Sequence, residues 1–397
     1  MDYHIAMNKY IFIIGQSSQL AQSELQAVLS SKNDQIELLE PNFVLAQTKQ
    51  TSSELINILG GTIKIARYIQ DIDKLADLDS KLWYEILSPN LQLDHKNYFG
   101  FSLYNDDNKN YNTLKITALK LKKTLKENNY KSRLVTSQEA ELSSVIVAKN
   151  KLIGNELLII KHNNKYILAI TEAVQDFEAY GLRDMERPYR DSKSGMLPPK
   201  VAQMMINLSG KDIDRSILDP FCGSGTVLQE AMLLGYKKIY GSDISAKAVA
   251  ETKANLDWLS EKFDIKANIS ITESDIVNID KTFEANTIDL IVTEPFMGDA
   301  RLIARQNKTS DLTDIKNELQ ILYNRAFEKF QKILAPQAII IFVFPIFHID
   351  NSDIYTLDKK MISQIGFKYL LDEDIIYSRP DQKVARQITV WQKNKYH

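Results

Sequence analysis

Ile217-Leu218-Asp219-Pro220-Phe221-Cys222-Gly223-Ser224-Gly225-Thr226 decides the fold. An apolar strand stops at an acid, and the chain turns sharply through two glycines. A helix then starts at Thr226 and runs through Val227, Leu228, Glu230, Ala231 and Leu234. Glycine permits φ above zero and lets a ligand lie against bare main chain. The first turn of a helix has amide N–H groups without intrahelical partners, so the turn is a polar cradle at the strand's carboxyl edge. A P-loop would need Gly-Lys-Ser/Thr here, and no lysine follows. A nicotinamide fingerprint would need a third glycine where this chain has Leu228.

Outward from that turn, strands alternate with helices. Strands are expected at 215–219, 237–243, 268–272, 288–293 and 338–344. Alternation of this kind implies a mostly parallel sheet with helices on both faces. Ile375-Ile376-Tyr377 and Arg386-Gln387-Ile388-Thr389-Val390-Trp391 have no helix between them and predict a hairpin that adds an antiparallel edge. Ligands of open α/β sheets bind beyond the carboxyl ends of the strands. Asp219 ends the first strand, Asp243 ends the second in Gly241-Ser242-Asp243-Ile244, and Asp275 follows the third in Ser274-Asp275-Ile276. At those places Asp243 can accept both hydroxyls of a ribose, and Asp275 can accept from an adenine amine.

Asp219-Pro220-Phe221-Cys222-Gly223-Ser224-Gly225-Thr226 resembles the first motif of S-adenosylmethionine-dependent methyltransferases, specifically those that methylate exocyclic amines of nucleic-acid bases. The resemblance implies S-adenosyl-L-methionine as cofactor. It implies that Asp219, Phe221, Gly223, Gly225, Thr226, Asp243, Ile244, Asp275 and Ile276 surround it. The fourth strand runs into Glu294-Pro295-Phe296-Met297-Gly298, where this branch carries Asp/Asn-Pro-Pro-Tyr/Phe.

The chemistry explains that motif. An exocyclic amine is a poor nucleophile because its lone pair is delocalised into the ring. A side-chain oxygen and a main-chain carbonyl that accept its two hydrogens orient the nitrogen and stabilise the developing positive charge. Proline stiffens the turn, and an aromatic ring stacks on the base. Glu294, Pro295 and Phe296 are therefore the expected catalytic residues. Here the acid is one methylene longer than usual, which implies a retuned site; the alternative is a site that binds cofactor and transfers methyl poorly or not at all. Cys222 lies in the cofactor loop rather than at the fourth strand's end and is expected to be a small packing residue, not a nucleophile.

Composition sets the frame. The chain has 397 residues, 44% hydrophobic and 25% charged, and its length suggests two or three domains. The longest apolar run, 338–347, is about half of the roughly 20 residues that span a bilayer. The single cysteine excludes an intrachain disulfide and a cysteine-cluster zinc site. Five scattered histidines show no metal spacing, so no metal is expected. Met1-Asp2-Tyr3-His4 lacks the basic start and apolar block of a signal peptide, so a cytoplasmic setting is expected.

Net charge is −2, yet residues 96–135 hold eight lysines and Arg133 against Asp106, Asp107 and Glu127. Leu114, Ala118, Leu121 and Leu125 recur there at helical spacing, which predicts an amphipathic helix with a basic outer face. Residues 1–70 read as βαββαβ, the ferredoxin-like order. A lysine- and tyrosine-rich stretch, 71–172, mixes strands and helices. A charged connector, Arg183 to Asp191, then leads into a domain over 173–397.

Taken together, the chain resembles the THUMP-domain tRNA guanosine N2-methyltransferases, with an α+β ferredoxin-like and THUMP-like region ahead of a Rossmann-like methyltransferase domain. The match rests on the motifs from Asp219 to Gly298, the Arg187-Pro188 to Pro199 lead-in, and, less specifically, Gly60-Gly61-Thr62-Ile63-Lys64. It implies tRNA as partner, with Lys115, Lys122, Lys126, Lys131 and Arg133 on phosphates and Arg187 and Tyr189 near the catalytic cleft. The competing readings are guanine N2 in ribosomal RNA, adenine N6 in DNA, or a catalytically silent RNA-binding relative.

Overall fold

The computed structural model describes residues 7–15, 17–190, 196–210, 212–299, 303, 309–349, 352–379 and 382–395. The chain divides into two compact units: residues 1–22 with 29–177, and residues 23–28 with 178–397.

The first unit holds one eight-stranded sheet. Its elements are β1 (Asn8–Ile14), α1 (Ser18–Val28, of which residues 23–28 fall in the second unit), β2 (Gln35–Glu40), β3 (Phe43–Thr48), α2 (Ser52–Ile58), β4 (Thr62–Ile72), α3 (Ser80–Leu87), β5 (Lys96–Tyr104), α4 (Asn108–Glu127), β6 (Lys131–Val135), α5 (Ser144–Lys149), β7 (Glu156–His162) and β8 (Lys165–Val174). Strand order is β2-β3-β1-β4-β8-β7-β5-β6. The boundary expected at 70/71 falls inside β4, and β4 pairs antiparallel with β8 from Lys64↔Val174 to Ile72↔Tyr166. The two N-terminal segments thus share a sheet.

Local chemistry sets the element ends. Thr51 caps α2 in a reciprocal box with Glu54. In α4, Leu114, Ala118, Leu121 and Leu125 are buried, as the periodicity predicts, and Tyr111 extends their stripe. Lys64 is a lysine in a strand interior, and its partners explain it. Its Nζ donates to Glu156 Oε1 at 2.7 Å and to the Leu142 carbonyl at 2.6 Å. Glu156 also accepts from Ser102 and Thr171, each at 2.6 Å. Burial of two opposite charges is tolerable only with this degree of hydrogen bonding.

The second unit continues with α6 (Phe177–Met185, its first residue in the first unit), α7 (Pro199–Asn207), β9 (Ser216–Asp219), α8 (Thr226–Leu233), β10 (Lys238–Asp243), α9 (Ala246–Phe263), β11 (Asn268–Glu273), α10 (Ile279–Thr282), β12 (Ile288–Thr293), α11 (Thr309–Ile333), β13 (Leu334–Ile349), β14 (Ser352–Tyr355), α12 (Lys359–Ile365), β15 (Phe367–Tyr369), β16 (Ile375–Tyr377) and β17 (Val384–Lys393). The main path is β11-β10-β9-β12-β13-β17-β15, with β14 on β13 and β16 on β17. Strands β9 to β13 are parallel, and β17 runs antiparallel to β13. This is the Rossmann-like methyltransferase fold. The expected hairpin forms, with Ile376 opposite Gln387, but β17 lies inside the sheet, covered further by β15. The strand order reverses at β9, with β10 on one side and β12 on the other, so the crevice for a ligand opens there. A buried aromatic group, Tyr323, Phe327, Phe330, Phe342, Phe344 and Trp391, fastens α11 to β13 and β17. Among the described residues, no helix is long and apolar enough to cross a membrane.

Candidate active site

The glycine turn is built by backbone geometry. Gly223 and Gly225 have φ of 51° and 85°, the left-handed region that glycine enters without strain. A Cβ on Gly223 would meet nothing within 4 Å, so its exposed side is open space along the main chain. Gly225 differs: a Cβ there would press on Thr252 at 3.0 Å. The turn is fastened from α9. Thr252 Oγ1 donates to the Gly223 carbonyl at 2.7 Å, and Asn255 Nδ2 donates to the Ser224 carbonyl at 2.8 Å. Asn255 also exchanges two hydrogen bonds with the Tyr189 main chain, at 2.9 and 3.0 Å.

Asp243 binds this turn directly. Its Oδ2 accepts from the Gly223 N–H at 3.0 Å and its Oδ1 from the Ser245 N–H at 2.9 Å. A carboxylate has about four lone-pair sites, so two remain for a ligand. Ile244 beside it is 70% exposed, an apolar side chain standing at the strand's end. Asp275 Oδ1 accepts from the Val277 N–H at 3.1 Å and opens a short 3-10 turn. Ile276 is buried in the core, so a ligand can meet only its main chain. Phe221 is half-buried against the same core.

Asp219 is 2% exposed. Its Oδ1 accepts from Thr293 Oγ1 at 2.6 Å and from the Phe221 N–H at 3.2 Å. Burial pushes its carboxyl up to about 7; the two hydrogen bonds oppose that shift, and the Asp243 and Glu294 charges add to it. Burial likewise pushes the Cys222 thiol up, which removes nucleophilic character and fits a packing role.

At the end of β12, Glu294 has a partner that the sequence did not announce. Arg386 of β17 grips it bidentately, Nε to Oε2 and Nη2 to Oε1, the second at 3.2 Å. The side chains are 6% and 14% exposed for Arg386 and Glu294. Pro295 is buried, and Phe296 is 59% exposed. The Phe296 carbonyl accepts from Tyr323 of α11 at 2.8 Å, fixing the turn. Glu294, Pro295 and Phe296 therefore stand at the strand end adjoining Asp219, as their spacing predicts. Arg386, Thr293, Asn255 and Tyr323 were missed. Their signal is spatial: Arg386 comes from a strand interior, Asn255 and Tyr323 from helix faces, and Thr293, the last residue of β12, bonds Asp219 across the sheet.

Arg187 lies against the first turn of α8, which follows the glycine turn. It is 3% exposed, and its Nη1 donates to Thr226 Oγ1 at 2.7 Å and to Gln229 Oε1 at 3.4 Å. So enclosed, its guanidinium faces α8 rather than solvent. Tyr189 is exposed, its main chain held by Asn255. On α4, Lys122 and Lys126 are exposed, whereas Lys115 is half-buried with its Nζ 4.3 Å from the centre of the Tyr111 ring. The three share one stripe of about 16 Å. Lys131 and Arg133 are exposed on β6, but they alternate with Leu134, which packs into the core under α4. They project from the opposite face of that edge strand, so the structure does not gather all five cations on one face.

At the switch point, then, a Rossmann-like sheet carries an acid-flanked glycine cradle, and the next strand ends in a proline-stiffened acidic turn. Residues 187–346 match a family described as "RMKL-like, methyltransferase domain". Residues 29–254 match the N6/N4 methyltransferase family described as "DNA methylase", and the chain belongs to that family. Among curated proteins, it is 32% identical over 184 residues to a tRNA (guanine(10)-N2)-dimethyltransferase of Pyrococcus abyssi, covering 46% of each chain. It is 34% identical over 139 residues to the protein of that name from Methanothermobacter thermautotrophicus, covering 34% of this chain and 38% of the relative. The chain thus spans less than half of the length of these two relatives. These relatives bear out the kinship with tRNA guanine N2-methyltransferases expected from the sequence. In structure, it matches TrmN from Thermus thermophilus with a TM-score of 0.56 at 14% identity, over 97% of this chain and 99% of that one. SMU.472 complexed with SAH matches with a TM-score of 0.52 at 13% identity, over 99% of both chains. At such identities these two speak for the fold.

Proposed function

We propose that this protein transfers a methyl group from S-adenosyl-L-methionine to the exocyclic N2 amine of a guanosine in tRNA. The observation that carries the proposal is the juxtaposition at the switch point. The open main chain of Gly223, held by Asp243, lies at one strand end, and Glu294-Pro295-Phe296 lies at the end of β12. The names of the curated relatives support guanine N2 and tRNA.

The cofactor supplies an electrophilic methyl on sulfonium. The chain supplies everything else. Asp243 has lone pairs left for ribose hydroxyls, Asp275 accepts from the adenine amine, and Ile244 gives the nucleoside an apolar surface. Phe296 stacks on the target base, a contact worth about 1–3 kcal/mol, once the base has left its helix. Glu294 and the Pro295 carbonyl accept the hydrogens of the amine. Because Arg386 already uses one lone pair on each Glu294 oxygen, Glu294 is a charge-compensated acceptor. It orients the nitrogen through the lone pairs that Arg386 leaves free. Lys115, Lys122 and Lys126 grip phosphate in the THUMP-like first unit, with Lys131 and Arg133 serving a second stretch of backbone. On this reading the place of action is the cytoplasm.

The test is transfer of labelled methyl to tRNA lacking its own modifications, followed by nucleoside analysis. N2-methylguanosine that disappears in Glu294→Ala is the expected result. N6-methyladenosine would move the acceptor to adenine. No incorporation despite measured binding of cofactor and tRNA would refute transfer to tRNA.

A further inference from the structure

Beside the catalytic turn lies a hollow of about 470 Å³ in which none of the groups assigned above takes part. Lys316 and Gln320 of α11 line it, with Tyr355 and Leu357 from the end of β14 and just beyond, Asp374 ahead of β16, and Gln387 of β17. Three links hold it against the turn. Gln387 follows Arg386, which grips Glu294. Lys316 follows Ile315, which a Cβ on Gly298 would meet at 3.4 Å. Gln320 stands one helical turn before Tyr323, whose hydroxyl donates to the Phe296 carbonyl. The floor of the hollow is polar and incomplete. Gln387 is 2% exposed; its amide hydrogen-bonds Asp374, while its Oε1 is buried with no partner. A buried acceptor left unpaired costs folding free energy, and an N–H of a bound molecule would satisfy it. At the rim, the Tyr355 side chain is 41% exposed, an aromatic face open to solvent.

We propose that this hollow takes a nucleotide of the tRNA next to the target guanosine. This rests on the transfer reading above. The parts of the hollow answer those of a nucleotide. Tyr355 offers a ring on which a base stacks, and Leu357 adds apolar surface. Gln387 Oε1 accepts from an N–H on the edge of that base. Lys316 pairs with a phosphate as a point charge. A sugar or an amino acid would use the polar groups and leave the aromatic face idle. The position has its own logic. Turning the target base out of its helix takes a stacking partner from its neighbour. A second stacking surface beside the catalytic turn offsets that loss and fixes which guanosine enters.

The experiment is a double-mutant cycle on tRNA affinity with the full chain. The RNA partners are intact tRNA and tRNA with an abasic residue on the 5′ or the 3′ side of the guanosine that the protein methylates. For the wild type, one of the two abasic tRNAs should bind about 5- to 150-fold more weakly than intact tRNA. Tyr355→Ala should lose the same factor on intact tRNA and nothing further on that abasic tRNA. Tyr355→Leu, which keeps bulk without the ring, should behave alike and serves if the alanine variant does not fold. Lys316→Ala should raise KM for tRNA and leave KM for S-adenosyl-L-methionine unchanged. Losses that simply add, or abasic tRNAs that both bind like intact tRNA, would overturn the subsite while the transfer reading stands. Additive losses together with a Tyr355-dependent affinity for guanosine monophosphate would overturn it in favour of a free nucleotide. A wild type that transfers no methyl to tRNA would refute the transfer reading, and the subsite with it.

Discussion

Arg386→Leu removes one half of the Glu294 clamp and is the most informative single change. The pair is bidentate, and both side chains are largely withdrawn from water. Removing one partner of such a pair costs about 3–5 kcal/mol, mostly because the other charge is left buried and unpaired. In a unit of this size that lowers Tm by about 6–20 °C. Glu294→Gln alone strands Arg386 in the same way. If the reasoning holds, the double variant Glu294→Gln/Arg386→Leu loses about 2–3 kcal/mol less than the two singles together. The assay is denaturant unfolding of all four proteins, followed by methyl transfer. Additivity within about 0.5 kcal/mol, the behaviour of independent sites, would refute the clamp. Glu294→Asp is the companion variant. Shortening the side chain by one C–C bond, about 1.5 Å, takes the carboxylate out of bidentate reach. Activity should therefore fall even though the family's usual acid has been restored.

Asn255→Ala removes three hydrogen bonds that join the glycine turn to the Tyr189 segment; a loss of about 2–4 kcal/mol in unfolding and a weaker cofactor affinity by calorimetry are expected. Asp219→Asn tests the raised carboxyl. Because the folded value, about 7, lies above the ordinary 3.8, the neutral acid is the form that folding favours. Its stabilisation is complete below about pH 4 and is lost as pH rises through 7. Tm should accordingly fall for the wild type relative to Asp219→Asn between pH 5 and 8, and parallel curves would contradict the shift. Lys122→Ala/Lys126→Ala should lower the slope of log affinity for tRNA against log salt by about two, with cofactor affinity unchanged.

What the sequence made legible was local. The glycine turn, the acids at the ends of β9 and β10 and just beyond β11, and the acidic turn after β12 each follow from a short window in which periodicity and turn chemistry agree. The basic face of α4 followed from spacing alone. What stayed hidden depends on strand order and on which face a side chain takes. Arg386 looked like an ordinary residue of a terminal hairpin until β17 proved to lie beside β13, two strands from β9. Arg187 stands in a charged connector, and no local pattern announces the partners on α8 that enclose it. The boundary expected at residue 70 missed the sharing of one sheet because β4 and β8 pair across about a hundred residues of sequence, and no local pattern reports such a pairing.

That pairing has a consequence for synthesis. β4 leaves the ribosome with one edge on β1 and the other open, and its partner β8 is not made until Val174. At about 5–20 residues per second, the open edge waits on the order of 5–20 s. During that interval Lys64 has no Glu156 beside it. A charged lysine in mid-strand discourages that edge from joining another chain. The residue that later closes the buried network therefore also guards the nascent sheet against mispairing while its own carboxylate is still being translated.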